Sequence, residues 1–310
     1  RLVGLAPLAP MKGYARLPVR YLASWMHEHC FYGAPLVRRG FEAGFFDALF
    51  RLAAVHPARP AFIRLRHINA EGPLAAAAHK AAEASGRISF QSGAHERALL
   101  KCGYRADDYL AKTIRKKKRK EMDRLRRRLK ERGDVVMKTL DDARDLPRWR
   151  DDFLRLESAG WKGRDGSALA ASEVQSGFFS DVLDGAFDAK SLRFYRLEVG
   201  ERTIAMIVNF IAGGEGFSFK IAHDPDFARY SPGVMLEIEM LRALEDEPGL
   251  RFVDSCASAD HPMINSLWAD RRAIVGLNIS GPRPRHRAIL GACCALEGAR
   301  ERFAALRERS

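Results

Sequence analysis

Cysteine is scarce and poorly spaced for any shared task. The chain has 310 residues and five cysteines, Cys30, Cys102, Cys256, Cys293 and Cys294. The number is odd, no CxxC pair occurs, and no cysteine–histidine spacing matches a zinc site. Neither a disulfide framework nor a metal is expected, and a reducing cytosol fits. The adjacent Cys293 and Cys294 suit neither an ordinary disulfide nor a two-ligand clamp, and free thiols packing as small hydrophobes are expected. Long apolar runs are also missing. No stretch reaches the ~18 uninterrupted apolar residues of a membrane-spanning helix. The first residues lack the basic segment and apolar core of a secretory signal. No short repeat occurs, and no low-complexity tract beyond one basic run.

What is present is globular. Apolar residues make up 47% and charged residues 29%, enough for two cores in a chain of this length. The net charge of +13 is unevenly spread. Arg115 to Arg132 holds twelve Lys/Arg and three Asp/Glu, a net of +9, which leaves +4 for all other residues. Such a run reads as a nucleic-acid surface, an anionic-membrane surface or a solvated helix. No aromatics interleave with it and no zinc-finger spacing accompanies it, which argues against nucleic acid.

Periodicity predicts a mixed α/β chain. In the first part, helices are expected at Tyr21–Glu28, Gly44–Val55 and Pro73–Ser85, and strands at Ala61–Leu65, Ile88–Gln91 and Tyr104–Leu110. Lys112–Gly133 reads as one basic helix stopped by glycine, linking two domains. The expected division is 1–138, including that helix at 112–133, and 139–310. In the second part, Asp134–Thr139, Leu192–Val199, Thr203–Ile211, Gly216–Ala222, Leu250–Asp254 and Ala273–Asn278 read as strands. Leu146–Ala159, Ser172–Gly185, Val234–Leu244, His261–Arg271 and His286–Arg309 read as helices.

One loop suits anion binding. Ser231 can cap the helix that follows, Pro232 suits its first turn, and Gly233 lets a ligand approach the backbone. Helix N-termini attract phosphate. Arg229 stands just before them. Asp224 and Asp226 are expected to shape the preceding turn. Lys220 interrupts an otherwise apolar strand, so it is either edge-exposed or functional. Trp161, Lys162 and Arg164 lie in a glycine-flanked loop of the kind that lines acceptor sites.

These segments occur in one order: Trp161-Lys162-Gly163-Arg164, Phe219-Lys220-Ile221-Ala222, Arg229-Tyr230-Ser231-Pro232-Gly233, Asp254-Ser255-Cys256-Ala257 and Asp260-His261-Pro262-Met263-Ile264, then Trp268. That series resembles the GNAT-superfamily acyltransferases of the CelD/BcsL-like group, linked to cellulose and cell-surface polysaccharide genes. It is similar in architecture to Fem-type transferases with two GNAT-like domains in tandem. The resemblance implies tandem GNAT-like domains, each a mixed central sheet flanked by helices and joined by the basic helix, with the first domain degenerate. It implies transfer of an acyl group from acetyl-CoA or a longer acyl-CoA, as co-substrate rather than resident cofactor, to a primary amine. Tyr230, Ser231, Gly233 and Val234 then offer backbone contacts to the CoA pyrophosphate, with Arg229 as a side-chain contact and Lys220 grouped with them. Lys162, Arg164 and Trp161 become acceptor-side residues. Asp254, at the end of a strand, and His261, in the next loop, are the expected general bases. A lipid-linked amine of the cell envelope is the expected acceptor. The expected location is cytoplasmic, peripheral on the inner face of the membrane through residues 115–132. An aminoacyl-tRNA-dependent Fem-like transferase and a non-catalytic tandem GNAT protein are the alternatives.

Overall fold

The computed structural model describes residues 2–14 and 16–307; the side chains of Trp161, Glu301 and residues 303–307 lie outside that description. In chain order the elements begin β1 (Gly4–Leu5), β2 (Leu8–Tyr14), β3 (Leu17–Ser24), β4 (Leu36–Val37), α1 (Glu42–Val55), β5 (Phe62–Asn69), α2 (Pro73–Ala84) and β6 (Ser89–Lys101). There follow α3 (Ala106–Thr113), α4 (Lys116–Lys130), β7 (Val135–Thr139), α5 (Leu146–Ala159), α6 (Trp161–Arg164), α7 (Glu173–Asp188), β8 (Leu192–Val199), β9 (Arg202–Ala212) and β10 (Glu215–His223). The chain ends with α8 (Pro232–Ala243), β11 (Phe252–Asp254), α9 (Pro262–Asn265), β12 (Asp270–Ser280) and α10 (Pro284–Arg307). Short 3-10 turns add to these, and Pro225–Tyr230 matters below.

The chain forms two compact units, residues 1–96 with 272–310, and residues 97–271. These are cut differently from the 1–138 and 139–310 division expected from the sequence. The basic helix belongs inside the second unit, and the chain's last strand and helix return to the first. In the first unit β2 pairs antiparallel with β3, β3 parallel with β5, and β5 antiparallel with β12. Phe46, Leu49 and Phe50 of α1 and Ala75, Ala78 and Ala82 of α2 pack with Leu22, Ile63, Leu65 and Leu277. A separate cluster joins Leu290 and Cys293 of α10 to Tyr14, Tyr21 and Phe62.

The second unit is a mixed sheet with helices on both faces. β7, β8, β9 and β10 form an antiparallel run, β11 joins β10 in parallel, and the end of β6 joins β11 antiparallel. One face is covered by α5 and α7. Trp149, Phe153 and Leu156 recur at helical spacing and pack with Phe179, Phe194, Met206 and Val208. The other face is covered by α3, α4 and α8, where Leu110, Leu129, Leu236 and Met240 pack with Ile204, Ile207 and the buried Trp268.

Most expected elements are present, with four corrections. Tyr21–Glu28 is not a helix: β3 runs to Ser24 because Leu22 and Ala23 pair with Ile63 and Arg64. Tertiary pairing outweighs local propensity there. Tyr104–Leu110 is not a strand; α3 starts at Ala106 with Asp107 and Asp108 in its first turn, where acids suit the helix dipole. Lys112–Gly133 is two helices, since Ile114 and Arg115 are extended and Ile114 is buried in the core. His261–Arg271 holds only the single turn α9, after which Trp268 is buried and the chain enters β12.

Candidate active site

The site is built on the end of two parallel strands. β10 and β11 pair at Glu215–Phe252, Gly216–Val253 and Phe217–Asp254, and no further. β10 then runs on to His223 paired only with β9. Its other edge presents backbone N–H and C=O groups to the slot between the parting strands. At the closed end, Gly216 is required: a Cβ there would stand 2.8 Å from Val253 Cγ2. Near the opening, the register with β9 shifts between Ser218 and Lys220, which makes Phe219 the extra residue of a bulge. The bulge turns Phe219 and Lys220 toward the α5 and α7 face, where Phe219 lies against Phe179 and Phe210.

β10 leads into the Pro225–Tyr230 turn and then α8. The Asp224 carboxylate accepts from the Asp226 amide at 3.0 Å, and the Arg202 guanidinium pairs with both acids at 2.6 and 2.7 Å. Both thus shape the turn, as their sequence position suggested. Tyr230 is buried. Arg229 is exposed and folds back, donating from Nη2 to Tyr230 Oη at 2.8 Å. Ser231 sits in the left-handed region, φ 53° and ψ 53°, and Pro232 begins the helix. Ser231 makes no side-chain cap bond; its carbonyl accepts from Met235 N. The first-turn N–H groups of Gly233 and Val234 therefore lack the i−4 partners of a helix interior. Uncapped amides of this kind attract anions at helix N-termini in general.

On the other face of β10, two ammonium groups share one buried carboxylate. Glu157 Oε1 lies 3.1 Å from Lys162 Nζ and 3.2 Å from Lys220 Nζ, and Oε2 accepts from Leu169 N at 2.8 Å. Burial opposes ionisation of Glu157, but the Leu169 amide and the two lysines outweigh it and hold its pKa below the usual value. Burial lowers the Lys162 pKa against the pull of Glu157. The cluster joins two segments that the sequence left separate, Trp161–Arg164 and Phe219–Ala222. Lys220 therefore sits with Lys162, not in the phosphate loop with Arg229. Trp161 opens α6, and its side chain lies outside the described residues. Arg164 closes α6 and faces solvent. Gly163 is needed for the return, since a Cβ would meet the Ser158 carbonyl.

The two expected bases are placed differently. Asp254 is fully buried; Oδ1 pairs with Arg97 Nε at 2.6 Å and accepts from Cys256 N at 2.9 Å, while Oδ2 accepts from Arg97 Nη2 at 2.8 Å. A carboxylate so enclosed is a counter-ion that fixes the end of β11, and an amine cannot reach it. His261 caps α9, its Nδ1 accepting from Ile264 N at 3.4 Å. The cap occupies the Nδ1 lone pair. Cys256 has φ 52° and forms no disulfide among the described residues.

Sequence reading missed Glu157 and Arg97. Glu157 stands four residues after Phe153, on the apolar stripe of α5, and a carboxylate on a buried stripe is the signal that could have found it. No local pattern marks Arg97.

Among the described residues no cluster of metal-ligating side chains occurs, and no helix is long and apolar enough to cross a membrane. Residues 116–261 match the family model described as an acetyltransferase (GNAT) domain. No curated protein matches the chain. Solved structures with a similar fold include the C-terminal domain of a putative lysylphosphatidylglycerol synthetase from Agrobacterium fabrum, 13% identical with a TM-score of 0.55, covering 94% of this chain and 88% of that one. FemX is 12% identical with a TM-score of 0.55, covering 84% and 78%. L-PGS from Bacillus licheniformis is 13% identical with a TM-score of 0.54, covering 95% and 86%. The parting strands, the bulge and the open helix terminus all fall within or beside the matched segment.

Proposed function

We propose, from the match of residues 116–261 to an acetyltransferase (GNAT) domain model, that the chain transfers an acyl group from acyl-CoA to a primary amine. The observation that carries this reading is the parting of β10 and β11 beyond Phe217–Asp254, upstream of the N-terminus of α8, which has no side-chain cap. A pantetheine arm can pair with the free edge of β10 as an added strand. The diphosphate then meets the Gly233 and Val234 amides, with Tyr230 and Ser231 shaping the approach and Arg229 at its rim. A backbone N–H near the Phe219 bulge polarises the thioester carbonyl. The amine nitrogen attacks that carbon, the C–S bond breaks, and the thiolate of CoA leaves. One proton leaves the amine and one protonates the thiolate, giving amide and free thiol. Since Asp254 and His261 lack an open acceptor atom, the amine's proton passes to water. Positioning supplies most of the acceleration, on the order of 7–11 kcal/mol in well-aligned systems.

The acceptor enters on the Lys162 and Lys220 side. Lys162 and Lys220 set two ammonium groups beside the one Glu157 carboxylate. This favours an amine whose scaffold also carries a phosphate or carboxylate, such as a lipid- or glycan-linked precursor of the cell envelope. The fold likeness to a putative lysylphosphatidylglycerol synthetase domain is compatible with a lipid acceptor. The lysine-rich α4 supports a second reading, in which an aminoacyl-tRNA is the donor.

The test is a thermal-shift series with CoA, acetyl-CoA, long-chain acyl-CoAs and a non-hydrolysable aminoacyl-tRNA analogue. At 100 times its dissociation constant a ligand stabilises by about 2.7 kcal/mol. A Cβ on Gly233 meets only ordinary contacts, Ile221 Cδ1 at 3.5 Å and Met263 Sδ at 3.7 Å. Gly233→Ala should thus fold, and Gly233→Val should lose the CoA shift by crowding the amides. Stabilisation by the tRNA analogue alone overturns the acyl-CoA reading, and an unchanged CoA shift in Gly233→Val overturns the placement.

A further inference from the structure

Helix α1 has two apolar faces, and the core of its unit buries only one of them. Phe46, Leu49, Phe50 and Ala53 are buried. Phe41, Phe45, Ala48, Leu52 and Val55 recur at spacings of four and three and form a second stripe on another side of the helix. The short β1–β4 sheet covers one residue of that stripe. The Gly4 backbone lies on the Phe45 ring, so closely that a Cβ there would stand 2.5 Å from it. Gly4 pairs with Val37, and Leu5 with Leu36. Neighbouring strand residues face opposite ways, so Leu5 and Leu36 point away from α1 and stand side by side. Leu2, Leu5, Leu36, Phe41, Leu52 and Val55 are 47% to 80% exposed. Scattered exposed apolar residues need no explanation, but these gather around one helix, and such a patch marks an interaction surface.

Charge identifies the partner. Residues 97–271, basic helix included, hold thirty-two Lys/Arg and thirty Asp/Glu, a net of +2. Residues 1–96 with 272–310 hold twenty and nine, a net of +11. Most of the excess positive charge therefore belongs to the unit that carries the apolar patch. Arg38 and Arg39 stand at the start of α1 and Arg59 just past its end. All three are exposed, and no ion pair forms on them among the described residues. The two acids of α1 are matched: Asp47 lies 3.7 Å from Arg51, and Glu42 accepts from Gly40 N at 2.9 Å. A second copy docked on the same face would set these arginines against their own kind. Apolar side chains that stand out between exposed cations suit an anionic lipid surface, which needs no complementary shape.

We propose that this face of the first unit docks on an anionic lipid surface. Leu5, Leu36 and Phe41 enter the interfacial layer, and Arg38, Arg39 and Arg59 meet the headgroup phosphates. The proposal does not rest on the acyl-CoA reading. It also moves the membrane contact away from the basic helix, to which the sequence pointed. The apolar stripe of α4 is already used, with Leu129 buried and Met122 and Leu125 packed against the core, so that helix has cations but no free apolar face to insert.

The experiment is co-sedimentation of the full chain with vesicles of phosphatidylcholine alone and of phosphatidylcholine mixed with phosphatidylglycerol. Wild type should bind the anionic vesicles about tenfold more strongly than the neutral ones. Leu36→Ser/Phe41→Ser changes no charge and only exposed side chains. It should keep the wild-type melting temperature and lose about tenfold in binding to the anionic vesicles. Arg38→Gln/Arg39→Gln should lose about as much, through charge instead of apolar area. Wild type that stays in solution with the anionic vesicles overturns the proposal. So does Leu36→Ser/Phe41→Ser that binds them as wild type does, because the contact is then charge alone and lies elsewhere on the chain. Dimerisation in analytical ultracentrifugation that the same two substitutions abolish would assign the face to a second copy instead.

Discussion

Arg97 and Asp254 form a two-point ion pair, Nε to Oδ1 at 2.6 Å and Nη2 to Oδ2 at 2.8 Å, with 3% and 0% of their side chains exposed. The pair ties β6, just before the stretch that pairs with β11, to the end of β11, where β11 parts from β10. A buried pair adds little net stability, but removing one partner strands the other charge. Arg97→Ala should therefore lower the unfolding free energy by roughly 3–5 kcal/mol in urea denaturation. Asp254→Asn keeps the shape but leaves the buried Arg97 charge uncompensated, so it too should cost roughly 3–5 kcal/mol. An Asp254→Asn protein with wild-type stability and no acyl transfer would restore Asp254 as the base.

His261 gives a second separation of structure from chemistry. Its ring nitrogen caps α9, a role that asparagine also fills well. His261→Asn should keep both the fold and turnover, whereas His261→Ala should lose about 1 kcal/mol of stability. Loss of a general base costs roughly 10²–10⁴-fold in rate. A drop of that size in His261→Asn, with stability intact, would sink the cap assignment.

The second unit was the more legible half because its signals are local. Leu192–Val199 and Leu146–Ala159 match β8 and α5 residue for residue, since alternation and a three-to-four spacing report directly on burial. The helix terminus after Ser231 was legible for the same reason: cap, proline and glycine act within a few residues. The slot was not, because it depends on which residue of β11 faces Phe217, a matter of register between strands distant in sequence. Asp254 looked available because sequence does not reveal that Arg97 reaches it. Glu237 was passed over among Val234, Leu236, Ile238 and Leu241, although it shares the buried side of α8 with Met240 and Leu241.

Ser231 tests whether the phosphate loop works through its backbone. Its φ of 53° lies in the left-handed region, which costs an ordinary L residue roughly 1–2 kcal/mol. Ser231→Gly should be as stable as wild type or more so and keep the full CoA shift, because the amides stay in place. Ser231→Val should lose stability and the shift together, since a β-branched residue resists this conformation. A Ser231→Gly protein that is stable but blind to CoA would mean that the hydroxyl itself binds.

Glu237 predicts an unusual pH dependence. It lies on α8, 2% exposed, and its Oε2 has no hydrogen-bond partner. Burial pushes its pKa up from 4.5 to about 8. Below pH 4.5 the carboxyl is neutral in both states and costs nothing. As the pH rises toward 8, the unfolded chain releases a proton that the folded chain keeps, so stability falls through this window and levels off above it. Each pH unit within the window costs up to about 1.4 kcal/mol. Paired carboxylates such as Glu157, whose pKa is lowered, act in the opposite sense, losing stability as the pH falls. Glu237→Gln removes the buried titration and keeps the shape. In denaturation curves from pH 5 to 9, the variant's advantage over wild type should grow up to about pH 8 and then stay constant. Parallel curves for the two proteins would mean that the folded chain already carries Glu237 as a stabilised anion.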